Sequence, residues 1–329
     1  MKKTNLINIM LVIIVLLNGL SGCSKNDENH VVIYTSAEDY RIEYMQQRLN
    51  ETFPNYDIVI EYMSTGEHAA KLISEGKNTE ADITYDLEYG YLEKLASTGV
   101  LTDLKNMYDM SMWAEDTLIS TFYLPDLKNG GAIIINPKVL SDKGLEVPTS
   151  YTDLLKQEYK GLISMPNPKS SGTGYMFLRT LVNTMGEDEA FAYFDELSKN
   201  ILQYTSSGSG PVNALIQGEV AIGFGMTSQA VTAINEGHDQ QILYFEEGSP
   251  YSMYGQGIIA GREEKQAVKE VFDFLINVYS YENCEKFFPE QIFSDRIFEI
   301  DNYPANIRYS DMSNNTLDEK SRLLDKWKY

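Results

Sequence analysis

The chain has 329 residues, 48 acidic and 27 basic side chains, and a formal net charge of −21. This acidity argues against nucleic acid as a partner, because nucleic-acid binding needs basic surfaces that displace counterions. It does not exclude a small anionic ligand, since local dipoles and hydrogen-bond donors govern a closed site. The length exceeds a single compact core and predicts two lobes.

The N-terminus has the pattern of a secretory signal, with two lysines, a short apolar stretch over residues 7–17 and small residues before Cys23. This stretch is shorter than the roughly 20 apolar residues that span a membrane. The sequence Leu-Ser-Gly-Cys that ends at Cys23 resembles a bacterial lipobox. We therefore expect residues 1–22 to be a signal peptide, and Cys23 to carry lipid, such as palmitate, at the start of a tether over residues 23–30. An uncleaved anchor helix is the alternative, and both leave the globular part extracytoplasmic and attached to the cell membrane.

Strands and helices alternate in the first third of the chain. Strands are predicted where apolar residues run together or alternate, and helices where they recur every three to four residues. In chain order the predicted elements are a strand over 31–34, a helix over 39–53, a strand over 57–62, a helix after 64–67, a strand over 81–85 and a helix over 90–97. This order predicts an α/β fold in which helices cover a parallel or mixed sheet.

A second set of β/α elements follows. Further strands are predicted over 132–136, 159–165, 221–224 and 254–260, with a helix over 264–278. The residues after 290 are polar and aromatic, and their helical patterning is weak.

Three polar loops follow the first three strands, over residues 35–39, 64–67 and 86–88. Because ligands of such sheets bind at the carboxyl ends of the strands, we expect these loops to face one crevice. Acidic side chains gather there, and one or two of them are candidates for holding an amine or a metal, with solvated surface residues as the alternative. These residues are Glu38, Asp39, Asp82, Asp86 and Glu88.

The clearest binding motif is the Ser- and Gly-rich segment over residues 170–175, directly before an apolar helix. A helix that starts in such a segment presents free backbone N–H groups and hydroxyl donors, and its dipole favours negative charge. The segment therefore predicts a phosphate or carboxylate site, with an ordinary helix cap as the alternative. Residues 204–211 repeat the pattern, with Pro211 in the first helical turn.

No motif for a metal, a cofactor or catalysis stands out in the sequence. His30, His68 and His238 lack metal-ligand spacing, and the chain has neither HExxH nor CxxC. Cys284 has no disulfide partner once Cys23 is lipidated, and no base is evident beside it. We therefore expect a protein without a cofactor that is not an enzyme.

Taken together, residues 31–290 resemble the ABC-transporter solute-binding proteins of the ferric-iron, 2-aminoethylphosphonate and sugar-phosphate group. The resemblance is carried by the order and spacing of Val32–Ser36, Ser64–Gly66, Ala70–Leu72, Ala81–Ile83, Gly99–Leu101, Asn136-Pro137, Pro148–Tyr151, Tyr159–Gly161 and Ser170–Tyr175. It implies a type II periplasmic-binding-protein fold, with two hinged α/β lobes around a ligand cleft. The implied first lobe comprises 31–127 and 252–329, the second lobe comprises 128–251, and the crossings lie near 123–130 and 246–254.

The resemblance also bears on the ligand. Iron-binding members use an adjacent Tyr-Tyr pair, where this chain has Gly225-Met226-Thr227-Ser228-Gln229, and a histidine and a glutamate that fall at Glu38 and Leu87. Loss of both phenolates removes hard anionic oxygen ligands for ferric ion. The Ser/Gly segments that hold an accompanying anion in iron binders are kept. This favours a small phosphorylated or phosphonate anion, such as 2-aminoethylphosphonate or a sugar phosphate, with ferric iron as the runner-up.

The residues expected to bind this ligand come from both lobes. They are Thr35, Ser36, Glu38, Ser64, Thr65 and Asp86 in the first lobe, and Ser171, Gly172, Thr173, Ser207 and Thr227 in the second. The second-lobe residues are expected to donate to phosphoryl oxygens, and the first-lobe hydroxyls to contact the ligand from the other side. Asp86 or Glu38 is expected to pair with the ammonium of 2-aminoethylphosphonate or with the hydroxyls of a sugar phosphate.

The partners implied by the resemblance are the permease and ATPase subunits of an ABC importer, and a monomer is the default oligomeric state. Two functions from other classes remain as alternatives. One is an enzyme with Cys284 as its nucleophile, because the same broad fold supports a thiamine-degrading enzyme. The other is a purely structural surface lipoprotein, which would show no lobe closure.

Overall fold

The structure is a computed structural model that describes residues 28–115 and 117–329. The predicted signal peptide, Cys23 and the tether up to residue 27 lie outside these residues and stay predictions. Within the described ranges, no helix is both long and apolar enough to cross a membrane.

The described part of the chain alternates between strands and helices, as an α/β fold requires. The strands are β1 (His30–Thr35), β2 (Asp57–Tyr62), β3 (Ile83–Glu88), β4 (Leu124–Ile135), β5 (Ile163–Pro166), β6 (Ile201–Thr205), β7 (Ile222–Met226), β8 (Gln241–Leu243) and β9 (Tyr251–Ile258). The helices are α1 (Asp39–Thr52), α2 (Thr65–Glu75), α3 (Tyr89–Ser97), α4 (Pro137–Asp142), α5 (Gly172–Met185), α6 (Glu187–Leu197), α7 (Gly210–Ile216), α8 (Thr227–Asn235), α9 (Gln266–Phe274), α10 (Ser280–Phe287) and α11 (Leu317–Lys326).

The strands form one mixed sheet in the order β2-β1-β3-β9-β4-β7-β5-β6, and β8 pairs with β4. The pairs β1–β2, β1–β3, β5–β6 and β5–β7 are parallel, whereas β4 and β9 run antiparallel to their neighbours. We call β1–β3 with α1–α3 the first lobe, and β5–β8 with α5–α8 the second lobe. Parallel strands need covering helices, because they are buried on both faces.

Strands β4 and β9 connect the two lobes and are called the crossing strands here. The first half of β4, up to Gly130, pairs with β9, and its second half, from Gly131, pairs with β7. Strand β9 pairs with β3 on its other side. The chain thus passes from the first lobe to the second along β4 and returns along β9. The expected α/β class with two connected lobes is confirmed.

Each lobe has its own apolar core. In the first lobe Ile33 and Tyr85 pack with Phe272 of α9, and all three are buried. In the second lobe Phe177 packs on Phe224, with ring centroids 5.1 Å apart. Separate cores allow each lobe to move as a unit about the crossing strands.

The C-terminal helix α11 packs against the second lobe. Trp327 contacts the ring of Phe194 at 5.1 Å, and Leu323 is buried in the same cluster. Lys320 on the same helix reaches back to Glu88 of the first lobe, at 2.5 Å. Helices α9 and α10 pack in the core of the first lobe, whereas α11 packs on the second, and the grouping of residues 252–329 with the first lobe stays a prediction. The exact lobe boundaries stay a prediction.

Several boundaries differ from the sequence-based expectation, and two of the differences lie at the site described below. Strand β3 continues to Glu88, so residues 86–88 are not a loop; its register shifts between Thr84 and Leu87, and Asp86 has φ of 54°. Such an irregularity re-aims side chains at a strand end. Helix α5 begins at Gly172, so the glycines of the expected loop form the first helical turn.

Candidate ligand-binding site

A cleft lies between the lobes and is lined almost entirely by polar residues. Its lining residues are Ser36, Ala37, Glu38, Tyr62, Ser64, Thr65, Asp86, Asn129, Ser170, Ser171, Thr173, Ser207, Gly208, Ser209, Met226 and Tyr254. No lysine, arginine or histidine is among them. Among the residues that the structure describes, the only charged side chains lining the cleft are therefore the carboxylates of Glu38 and Asp86.

The first-lobe side of the cleft is built from the segments that follow β1, β2 and β3. Ser64 caps α2 in a capping box, in which Ser64 accepts from the backbone of Glu67 and the Glu67 carboxylate accepts from the Ser64 N–H. This reciprocal pairing fixes the start of the helix. The hydroxyl of Ser36 donates to the carbonyl of Asp86. The loop after β1 and the end of β3 are thereby held together.

Beneath this side lies a buried charge cluster formed by Arg41 with Glu38, Asp86 and Asp126. The guanidinium of Arg41 is 3.0 Å from Glu38, 3.1 Å from Asp86 and 3.4 Å from Asp126. One positive and three negative groups give the fully ionised cluster a net charge of −2. Asp126 also accepts from the Tyr85 hydroxyl at 2.8 Å. Glu38 and Asp86 each turn one oxygen to Arg41 and line the cleft.

The charge excess of the cluster affects proton binding. Burial raises the pKa of Asp86 to about 7; Arg41 opposes this shift, and Glu38 and Asp126 add to it. Burial likewise raises the pKa of Asp126. A buried carboxylate in excess over its cationic partners takes up a proton or attracts a cation, because an uncompensated buried charge is costly. The first-lobe side of the cleft thus favours positive charge.

The second-lobe side is built around the start of α5. The Ser171 Oγ accepts from the Gly174 N–H at 3.3 Å and caps the helix. The N–H groups of Gly172 and Thr173 have no acceptor within the described part of the chain. Ser207 and Ser209 lie across from them, with their hydroxyls 3.0 Å apart. Free N–H groups, hydroxyls and the helix dipole together favour an anion on this side.

The crossing strands contribute the floor of the cleft. Asn129 of β4 is 4% exposed, and its amide nitrogen contacts the sulfur of Met226 at 2.9 Å, a weak acceptor. Its amide oxygen has no partner in the residues that the structure covers. Tyr254 of β9 faces the same space. Polar residues of the crossing strands therefore line the space between the lobes.

The lobes touch each other across the mouth of the cleft. The Gly66 N–H of α2 donates to the carbonyl of Ser170 at 3.3 Å. A Cβ added at Gly66 would lie 2.9 Å from the carbonyl oxygen of Lys169. Only a glycine therefore lets the two backbones approach this closely, and the structure represents the closed arrangement of the lobes.

Replacing Gly66 with alanine is expected to oppose closure without weakening the first lobe. Overpacking of this kind costs about 1–3 kcal/mol, which corresponds to roughly ten- to hundredfold weaker ligand binding. The ligand-free protein should melt at the same or a higher temperature, because alanine favours a helix by about 1 kcal/mol over glycine. Calorimetric affinity and thermal melting measure the two effects separately.

Gly90→Ala is the matched control. Gly90 is also the second residue of a first-lobe helix, but an added Cβ there meets side-chain atoms of Glu88 at 3.5 Å, an ordinary contact distance. Its ligand affinity should equal that of the wild type. Wild-type affinity in the Gly66 variant would contradict the close approach of the lobes.

Most residues predicted from the sequence line the cleft, and three do not. Those lining it are Ser36, Glu38, Ser64, Thr65, Asp86, Ser171, Thr173 and Ser207. Thr35 is buried and accepts from the Ala37 N–H at 3.1 Å, so its side chain stabilises the loop instead. Thr227 is buried beside the Tyr244 hydroxyl, and the preceding Met226 takes the lining position. Gly172 lies where Thr65 and Tyr254 meet α5. The ligand-binding role of all these residues stays a prediction.

The sequence reading missed several cleft residues and the cluster below them. Tyr62, Asn129 and Tyr254 lie on strands without a local binding motif. The burial of Arg41 could have been predicted from the sequence. Arg41 precedes the buried Met45 and Leu49 at four-residue spacing and so lies on the apolar stripe of α1. A charged residue on such a stripe indicates a buried ion pair.

The features of an iron site or a cysteine enzyme are not found in this region. In the parts of the chain covered by the structure, no three His, Cys, Asp or Glu residues are arranged to hold a metal ion. Cys284 is fully buried, and burial raises the pKa of its thiol well above the usual value. A thiol in such a setting is a poor nucleophile, because the thiolate is the reactive form.

Known proteins resemble this chain in sequence or in fold. An uncharacterised protein of Haemophilus influenzae is 25% identical over 283 residues, which cover 84% of this chain and 81% of that protein. Two solved structures have a TM-score of 0.78. The periplasmic binding protein P5PA is 22% identical and covers 91% of this chain and 98% of its own. AfuA from Actinobacillus pleuropneumoniae was solved with exogenous fructose-6-phosphate bound. It is 24% identical, and the match covers 91% of this chain and 97% of AfuA.

These likenesses establish the two-lobed type II periplasmic-binding-protein fold. At such identities they show the fold and leave the ligand open. The model of the bacterial extracellular solute-binding proteins matches residues 34–278, about three quarters of the chain. The chain belongs to this family, whose members are not enzymes but the substrate-binding components that deliver small ligands to ABC importers.

Proposed function

We propose that this protein captures a small zwitterionic ligand for its importer, with a phosphonate or phosphate group at one end and an ammonium group at the other. The class is that of 2-aminoethylphosphonate. The anion is held by the start of α5, and the ammonium by Glu38 and Asp86. The observation that carries the proposal is the opposite electrostatic character of the two sides of one closed cleft.

The charge of the cleft supports an ammonium group in the ligand. The cluster around Arg41 has an excess of negative charge, and no lysine, arginine or histidine is among the described residues that line the cleft. A ligand with only negative charge would add to this excess. A ligand with an ammonium group neutralises part of it and gains charge-assisted hydrogen bonds.

A sugar phosphate is the second candidate, and the cleft also supports it. Carboxylate oxygens of Glu38 and Asp86 can accept from ligand hydroxyls, and the fold is shared with AfuA. A proton on Asp86 would reduce the negative charge that faces such a ligand. Such protonation is compatible with neutral pH, because burial raises the pKa of Asp86 to about 7.

Ferric iron, the runner-up from the sequence, is less favoured by the geometry. Ferric ion prefers anionic oxygen ligands, and the carboxylates of the cleft are already bound to Arg41. Burial raises the pKa of Tyr62 and Tyr254, which disfavours phenolate there.

A thermal-shift screen of the chain without residues 1–23 tests the proposal. A ligand that binds only the folded state adds about 4 kcal/mol at a thousandfold excess over its Kd. We expect the largest rise in melting temperature with 2-aminoethylphosphonate, and a smaller one with ethylphosphonate, which lacks the amine. A rise only with fructose 6-phosphate would favour the second candidate, and a rise only with ferric citrate would favour iron. No rise with any of them would contradict the phosphonate or phosphate site.

The attachment to the membrane through lipid on Cys23 and a monomeric state are part of the proposed function. Support comes from the lipobox-like sequence before Cys23. In cells that make the Cys23→Ala variant, we expect the protein to leave the membrane fraction. Retention of that variant in the membrane would favour the uncleaved anchor helix.

A further inference from the structure

Tyr254 on the crossing strand β9 has a hydroxyl that the fold does not use. The residue is 5% exposed and lines the cleft. No hydrogen bond joins this hydroxyl to any residue in the described ranges, 28–115 and 117–329. A phenol hydroxyl without a partner in the protein, on a residue that lines the cleft, is available to a bound ligand.

The position of the Tyr254 hydroxyl indicates which part of a ligand it would meet. A Cβ added at Gly172 would lie 2.5 Å from the Tyr254 oxygen. The hydroxyl therefore abuts the first turn of α5, where the N–H groups of Gly172 and Thr173 have no acceptor among the described residues. Three donors, two from the helix and one from the crossing strand, converge on one end of the cleft.

The phenol of Tyr254 stays neutral, so it can donate to an anionic group of the ligand. Burial raises the pKa of its hydroxyl well above the usual value, and the carboxylates of Asp86, Glu88 and Glu38 add to this shift. The hydroxyl keeps its proton at all physiological pH values. A neutral phenol beside a helix N-terminus is suited to donate to an oxyanion.

We propose that the Tyr254 hydroxyl donates a hydrogen bond to a phosphonate or phosphate oxygen of the ligand bound at the start of α5. This assignment rests on the proposed function and extends it to a residue of the connection between the lobes. The ligand then contacts the first lobe, the second lobe and the crossing strand. Binding thereby stabilises the closed arrangement about the strand on which the lobes turn.

The test is Tyr254→Phe in the full-length chain, purified in detergent and titrated calorimetrically with 2-aminoethylphosphonate and with ethylphosphonate. The variant should fold, because the ring packs with Leu127 and Phe288 and loses only an unpaired hydroxyl. We expect its affinity for both compounds to fall by the same factor, about ten- to a hundredfold. The melting temperature without ligand should stay unchanged or rise.

Tyr89→Phe is the matched control, because the Tyr89 hydroxyl donates to the Thr117 carbonyl at 2.8 Å and lies outside the cleft. It should lower the melting temperature and leave both affinities unchanged. Wild-type affinity in Tyr254→Phe would overturn the assignment while leaving the proposed function intact. A loss of affinity confined to 2-aminoethylphosphonate would also overturn it, because the hydroxyl would then contact the ammonium group of the ligand and not its phosphonate. Failure of the wild type to bind either compound would overturn both proposals.

Discussion

Replacement of Arg41 by methionine is expected to lower the free energy of unfolding by about 3–5 kcal/mol. The guanidinium is 1% exposed and is bonded to Glu38, Asp86 and Asp126. Methionine fills much of the space but leaves the carboxylates without their cation. Urea unfolding with an unchanged m-value measures the loss.

The decrease in the free energy of unfolding should depend on pH. The direction of this dependence follows from the raised pKa of Asp86. The pKa of Asp86 is raised by burial to about 7, whereas the unfolded value is about 3.9. Between these values the folded protein binds more protons than the unfolded chain, so the contribution of Asp86 to stability falls as pH rises. Without Arg41 the pKa should rise further. The Arg41→Met variant should therefore lose more stability at pH 8 than at pH 5.

Arg48→Met is the control for the Arg41 prediction. Arg48 lies on the same helix α1 and is bonded to Glu282, but these side chains are 24% and 26% exposed. Exposed pairs contribute about 0–1 kcal/mol. Equal losses in the two variants would contradict a buried charge cluster beneath the cleft.

Replacing Ser171 and Thr173 together with alanine is expected to weaken binding of 2-aminoethylphosphonate by a factor of about a hundred or more. Each hydrogen bond to a charged group contributes about 1.5–3 kcal/mol, and tenfold in affinity corresponds to about 1.4 kcal/mol. Stability should fall by only about 1 kcal/mol, the usual cost of losing an N-cap. Calorimetric titration and thermal melting measure these effects.

Thr316→Ala is the control that distinguishes the effect of losing a helix cap on stability from the effect of losing a ligand contact on affinity. Thr316 caps α11 by accepting from the Glu319 N–H at 3.3 Å, and it lies outside the cleft. This variant should lose similar stability with wild-type affinity. If the Ser171 and Thr173 double variant bound as tightly as the wild type, the anion would not lie at the start of α5.

The parts of the fold that were predicted from sequence are those with strong local signals. The run of Ser64 and Thr65 before Glu67 predicted a helix start, and the structure has a complete capping box there. The β-α-β order gave the sheet and its helices. Apolar periodicity and capping act within a few residues of chain, so a single sequence carries them.

The parts that were not predicted depend on contacts between distant segments. The register of β3 shifts opposite β9 between Thr84 and Leu87, and the Asp86 backbone within this shift has an unusual φ of 54°. Tyr254 and Asn129 reach the cleft because the two crossing strands pair with each other. Neither pairing leaves a local pattern in the sequence. The site was therefore predicted where loops and helix starts form it, and missed where strands form its floor.

The central claim is that one cleft holds an anion on the second lobe and a cation on the first. Calorimetric titration with 2-aminoethylphosphonate and ethylphosphonate at pH 8 tests it most directly, in the wild type and in the Glu38→Gln, Asp86→Asn double variant. The account predicts that the wild type binds the amine-bearing compound at least tenfold more tightly, about 1.4 kcal/mol, and that the double variant loses this preference. Equal binding of both compounds by the wild type, or a preference that survives in the double variant, would contradict it.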